Sequence, residues 1–209
     1  QSSPLPISRG VCFFVAWQDV ALLQYNFGMI NNAFESLNAA LASTTEDEVY
    51  VVPAFSGLGA PYLDPESRGS VFGLTRGTNR NDFIKATLQS IAYQTKDVIE
   101  TMKTDTGLSI PTLKADGGAS RNTYLMQFQA DILNTEVDRA AEEETTALGA
   151  AFLAGLAVDY WHNTDELRDV LDDGKLFKPA MAESKRHRLY RGWQNAVSAT
   201  QMFKPASQD

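Results

Sequence analysis

The run Asp116-Gly117-Gly118-Ala119-Ser120-Arg121-Asn122 follows a short β-prone segment and precedes a helical one, and that placement gives it a chemistry. Two adjacent glycines let the backbone approach a ligand closely, and N–H groups at a helix start carry partial positive charge. Such a turn suits a nucleotide. Asn122 adds an amide with donors and an acceptor for a purine edge or a ribose. The run is neither the G-x-G-x-x-G dinucleotide pattern nor the Walker A loop, because the third glycine and the Gly-Lys-Ser/Thr ending are absent. Taken alone, Gly117 and Gly118 also fit a tight strand-to-helix turn with no ligand, and Asn122 also fits a solvated or capping amide.

The rest of the chain offers less. His162 and His187 are its two histidines, and neither stands at a metal-ligand spacing. Both are expected at the surface. The acidic triplet Glu142-Glu143-Glu144 reads as a solvated stretch ahead of a helix N-terminus, where negative charge is favoured. No Gly-x-Ser-x-Gly elbow appears, and the single cysteine, Cys12, has no histidine neighbour with which to form a nucleophile pair.

The elements that must position the glycine turn are legible from periodicity and breakers. Residues 112–115 read as a strand running into the turn, and about 120–133 as a helix leaving it, with Leu125, Phe128 and Ile132 inward. Upstream, residues 11–27 and 31–43 are expected as helices. Residues 49–55 form a β-branched strand ending at Pro53, followed by a Gly/Pro-rich loop over 56–65. Residues 69–74 read as a strand. A long helix over 82–106 follows, capped by Asn81 and closed by Gly107. Downstream come a strand at 136–139, a small-residue helix at 146–158, a weak helix at 164–171 and a last helix at about 182–203. Alternating strands and helices imply an α/β fold.

Composition agrees with one globular unit. The 209 residues are 44% hydrophobic and 21% charged, with a net charge of -8. That balance, with no Lys/Arg-rich run, argues against a nucleic-acid partner. One cysteine allows no internal disulfide and suits a reducing cytoplasm. The apolar run Val11 to Trp17 is far shorter than the roughly 20 residues a membrane-spanning helix needs, so no membrane association is expected.

Residues Gly69-Ser70-Val71-Phe72-Gly73-Leu74, a seven-residue gap, and then Asp82-Phe83-Ile84-Lys85-Ala86-Thr87-Leu88-Gln89 resemble the second signature of the FGGY carbohydrate kinases. The segments at 50–62, the glycine turn with 125–133, and Thr146-Ala147-Leu148-Gly149-Ala150-Ala151 resemble the glycerol-phosphorylating members in particular. The resemblance is good over 49–195 and poorer over 1–48. It implies an actin-like, ribonuclease-H-like ATPase domain, incomplete at its N-terminal edge, in which Gly117, Gly118 and Asn122 meet the adenosine of ATP. It also implies ATP with Mg2+ held through the nucleotide, and phosphorylation of glycerol to glycerol 3-phosphate. The signature residues 82–89 are expected to pack and not to catalyse.

Over residues 11–30 the pattern departs: Trp17 and Ala21 replace a glycine and a glutamine that such kinases place near the adenine. The family's catalytic aspartate and polyol-binding domain have no counterpart here, so the expectation is a nucleotide-binding half that meets glycerol only with an N-terminal half, inactive alone and oligomeric when intact. Two other readings stand beside it: a non-catalytic nucleotide-binding or interaction module, and a kinase of the same family acting on another sugar. An unpaired sheet edge, and with it aggregation, is a further expectation.

Overall fold

The structure is a computed structural model that describes residues 16–44, 48–107, 109–141, 145–170 and 174–204. In chain order the helices are α1 (Ala16–Ala21), α2 (Glu35–Ala42), α3 (Arg80–Thr106), α4 (Thr123–Leu133), α5 (Thr145–Ala157), α6 (Thr164–Val170) and α7 (Glu183–Met202). The strands are β1 (Tyr50–Val52), β2 (Ser70–Phe72), β3 (Thr112–Ala115), β4 (Glu136–Arg139) and β5 (Lys175–Phe177).

β1 and β2 form an antiparallel ribbon. In the second sheet β3 runs parallel to β4, with Thr112 opposite Glu136, and β4 pairs antiparallel with β5. The parallel pair needs a crossover, and α4 supplies it. The strand order is β3-β4-β5, so β3 is an edge among the described residues.

α3 is the spine against which α1, α2, α4 and β1 pack. Its 27 residues span about 40 Å at 1.5 Å per residue. Ile84, Leu88, Ile91, Ala92 and Ile99 are all buried at helical spacing. The N-terminus carries a capping box: the Asn79 side chain accepts from the Asn81 N–H at 2.8 Å, and the Asn79 N–H donates to the Asp82 carboxylate at 2.9 Å. The cap is therefore Asn79 and not Asn81, because only from Asn79 does an acidic residue fall at the third helical position. Gly107 ends the helix at φ +65°, as expected. Asp82 also accepts from the Ser43 hydroxyl at 2.6 Å, which gives this signature residue a packing role.

Around α3 the core is aromatic. Tyr93 stacks on Trp193 of α7 with centroids 5.2 Å apart and meets Phe128 of α4 edge-on at 5.5 Å.

Elsewhere the elements depart modestly from the sequence expectation. The segment expected as a helix over 11–27 is α-helical only over Ala16–Ala21 and continues as a π-helical turn over Leu22–Asn26; residues 11–15, with Cys12, lie outside the described residues. α2 begins at Glu35 and not at 31, since Asn31 and Asn32 spend their side chains on the Glu35 carboxylate in a turn. β5 was not foreseen. It has three residues, two of them exposed, and exists only through its pairing with β4.

Candidate nucleotide-binding turn

β3 delivers the chain to Asp116, and Gly117 reverses it with φ +77° and ψ 172°, a conformation a side chain resists. Gly118–Arg121 then make one 3-10 turn, closed by Ser120 N–H to Gly117 O at 3.0 Å, with the buried Ser120 hydroxyl donating to the same carbonyl at 2.7 Å. Asn122 returns to extended backbone and caps α4, its side-chain oxygen accepting from the Leu125 N–H at 3.0 Å. The helix thus starts at Thr123 and not at about 120, and Asn122 stands at its N-cap instead of one turn inside. Paired glycines favour the tighter turn in place of a fourth helical one.

The two glycines differ in what the fold asks of them. Gly117 is required by its positive φ. Gly118 has no such φ, and a Cβ built there meets nothing within 4 Å; the same open space lies beside Gly117. Turn geometry accounts for Gly117 alone, and the bare, exposed backbone at Gly118 is left without an internal reason. Backbone that must accept a closely approaching group has one.

Asn122 is half-buried and bridges two helices: besides its cap bond, its Nδ2 donates to the hydroxyl of Ser36 on α2 at 3.1 Å. On the other side of the turn, the Thr145 hydroxyl at the first residue of α5 donates to the Asp116 carboxylate. The C-terminal end of β3, the 3-10 turn and the start of α5 therefore meet at the carboxyl end of the parallel strands, where open α/β sheets hold ligands. Neither Ser36 nor Thr145 was legible as a neighbour of the turn, because each contact joins residues 86 or 29 positions apart.

The two histidines are surface residues, as expected. His187 lies exposed on α7 near Glu183, and the exposed His162 lies in the turn before α6. Among the described residues no group of three or more His, Cys, Asp or Glu could hold a metal ion. Glu142-Glu143-Glu144 lie outside the described residues, as does the side chain of Trp17; Ala21 is half-buried at the end of α1. Close by on α1, Asp19 is fully buried, and burial pushes its carboxyl up to about 7 against the opposing hydrogen bond from Gln94.

Known proteins share both this sequence and this fold. Over 191 residues, 91% of the chain, it is 60% identical to the glycerol kinase of Pediococcus pentosaceus and likewise 60% identical to that of Enterococcus faecalis. It is 61% identical to glycerol kinase 1 of Lactiplantibacillus plantarum over the same length. The chain spans 38% of the length of each of these relatives. Among solved structures, Plasmodium falciparum glycerol kinase with ADP superposes with a TM-score of 0.80 at 34% identity, over 88% of this chain and 37% of that one. Xylulose kinase from Lactobacillus acidophilus shares the fold, with a TM-score of 0.73 at 20% identity, over 88% of this chain and 38% of that one. The architecture is thus the actin-like α/β domain that the sequence implied. Residues 14–158 match the FGGY family of carbohydrate kinases, C-terminal domain, and this chain belongs to that family.

Proposed function

We propose that this chain is the nucleotide-binding part of a glycerol kinase, an enzyme that moves the γ-phosphoryl group of ATP to a hydroxyl of glycerol and yields glycerol 3-phosphate and ADP. Identity of 60% to glycerol kinases over 91% of the chain supports the choice of glycerol over another sugar. The ADP named with the Plasmodium relative supports the nucleotide. Within the chain, the observation that carries the reading is Gly118, a glycine that its own fold does not require, beside open space at the carboxyl end of β3.

In this reading the backbone at Gly117 and Gly118 lies against the adenosine, and Asn122 offers one amide N–H and one oxygen lone pair that its helix contacts leave over. Phosphoryl transfer depends on positioning and on electrostatic stabilisation of the moving group. This chain contributes the first by fixing the nucleoside end. In this reading, binding glycerol, taking the proton from its hydroxyl and closing over the substrates fall to residues outside this chain. Mg2+ would enter with the nucleotide, held through its phosphates. We place the enzyme in the cytoplasm, as an oligomer when intact. No helix among the described residues is long and apolar enough to cross a membrane.

Calorimetric titration of the chain with Mg-ATP, beside a Gly118→Val variant, tests the site. A Cβ at Gly118 meets nothing within 4 Å, so the variant should melt with the unsubstituted chain while losing nucleotide binding. Equal binding by both would move the nucleotide elsewhere. Binding by neither would favour a remnant that no longer takes ATP.

A further inference from the structure

Asn122 can serve a ligand only if its amide is held one way round. The Leu125 N–H donates to Oδ1 at 3.0 Å, which places the oxygen toward α4 and the Nδ2 group away from it. Ser36, 1% exposed on α2, receives that Nδ2 group at 3.1 Å. Its single hydroxyl proton is already committed to the Ala33 carbonyl at 2.6 Å, so toward Asn122 it can only accept. The two bonds agree on one amide orientation. An amide flip would oppose an N–H to the Leu125 N–H and leave the Ser36 oxygen facing another acceptor.

We propose that Ser36 is a positioning residue for nucleotide binding: it holds the Asn122 amide so that its remaining N–H is the donor presented to the nucleoside. This rests on the placement of the nucleotide at residues 117–122. It also makes α2 part of the nucleotide site, although none of its residues is required to touch the ligand. Without the Ser36 oxygen, the freed Nδ2 group would turn to water, and the donor would no longer be set in advance. Pre-organisation of a single hydrogen bond corresponds to an affinity change of about five-fold.

The test is titration of the 209-residue chain with Mg-ADP in four forms: unsubstituted, Ser36→Ala, Asn122→Asp, and the pair together. Asn122→Asp keeps a good N-cap acceptor but has no amide N–H to present. Ser36→Ala should weaken Mg-ADP binding by about five-fold. Asn122→Asp should weaken it at least as much, and the double variant no further than Asn122→Asp alone. A loss from Ser36→Ala that persists in full on top of Asn122→Asp would show that Ser36 acts by packing and would overturn the proposal, as would Ser36→Ala binding at the unsubstituted affinity. Should Ser36→Ala fail to melt cooperatively, Ser36→Cys, close in volume and a poor acceptor, takes its place in the same cycle with the same expected result. Absence of binding by the unsubstituted chain would defeat the nucleotide reading itself, a different outcome from additivity within the cycle.

Discussion

The Trp193 indole of α7 donates to the carboxylate of Asp97 on α3 at 2.7 Å, in a place where the indole is fully buried and the aspartate 4% exposed. Tyr190, one turn earlier on α7, donates to the other oxygen at 2.7 Å, and Tyr62 adds a third hydrogen bond from the 56–65 loop. Burial raises the Asp97 carboxyl above the ordinary range, and these three donors oppose that rise. One carboxylate thus ties α7 and the loop to α3.

Replacing Asp97 with alanine strands an indole N–H in the core and removes two charge-assisted bonds besides. Each bond to a charged group contributes roughly 1.5–3 kcal/mol, and the stranded donors find water only in part. We expect Asp97→Ala to lose about 4 kcal/mol of unfolding free energy in urea, with an unchanged denaturant slope. A loss below about 1 kcal/mol would mean that packing alone fixes α7.

Asp19 sets a pH dependence of known sign. Folding raises its carboxyl from the ordinary 3.8 to about 7, mainly through burial, so between those values the folded chain holds a proton that the unfolded chain has released. Its contribution to stability is complete below the unfolded value and is lost as pH rises through about 7. Compared with Asp19→Asn, the unsubstituted chain should lose stability between about pH 4 and pH 7, at up to about 1.4 kcal/mol per pH unit, and level off above that. Parallel stability profiles for the two chains would show that Asp19 ionises freely in the folded state.

What the sequence revealed divides along range. α3 was readable because Phe83, Ala86, Ile91, Val98 and Met102 repeat at helical spacing and Gly107 can only be a stop. Its start was misplaced between two asparagines, since capping depends on Asp82 reaching back and not on residue type alone. The strand, glycine pair and helix around residue 117 were readable for the same local reasons. β5 was not, because Lys175 and Leu176 are exposed and only β4 makes them a strand. Nor were the partners of the turn: nothing near Ser36 or Thr145 in sequence announces Asn122 or Asp116, and only the packing of α2 and the crossover before α5 bring them together.

Gly192 on α7 faces the Tyr50 ring, and a Cβ built there would overlap the Tyr50 hydroxyl. That hydroxyl is held by Glu48 at 3.0 Å, and Glu48 is in turn paired with Arg188 at 2.6 Å, so the ring has little room to yield. Alanine would ordinarily stabilise a helix interior by about 1 kcal/mol over glycine. Here overpacking outweighs it, and Gly192→Ala should destabilise the chain by about 1–2 kcal/mol net. Tyr50→Phe removes the nearest atom but keeps two ring carbons that the added Cβ would also overlap, so the double variant should recover only part of that loss; full recovery would make the hydroxyl the sole obstacle.

The edge of β3 and the surface of α5 together predict how the chain behaves in solution. β3 pairs with β4 alone among the described residues, leaving the backbone groups of its other side open. Helix α5 carries no charged residue, and Leu153 within it and Val158 just beyond its end are 70% and 75% exposed. An open strand edge and an uncharged apolar helix face each favour association between copies. Light scattering should therefore report association that grows with concentration. Leu153→Lys should reduce it at least about three-fold at equal concentration, since a charge on the apolar face opposes collapse of two such faces together. A monodisperse chain with a sharp thermal transition, unaffected by the lysine, would show that neither the strand edge nor the helix face is open to a second copy.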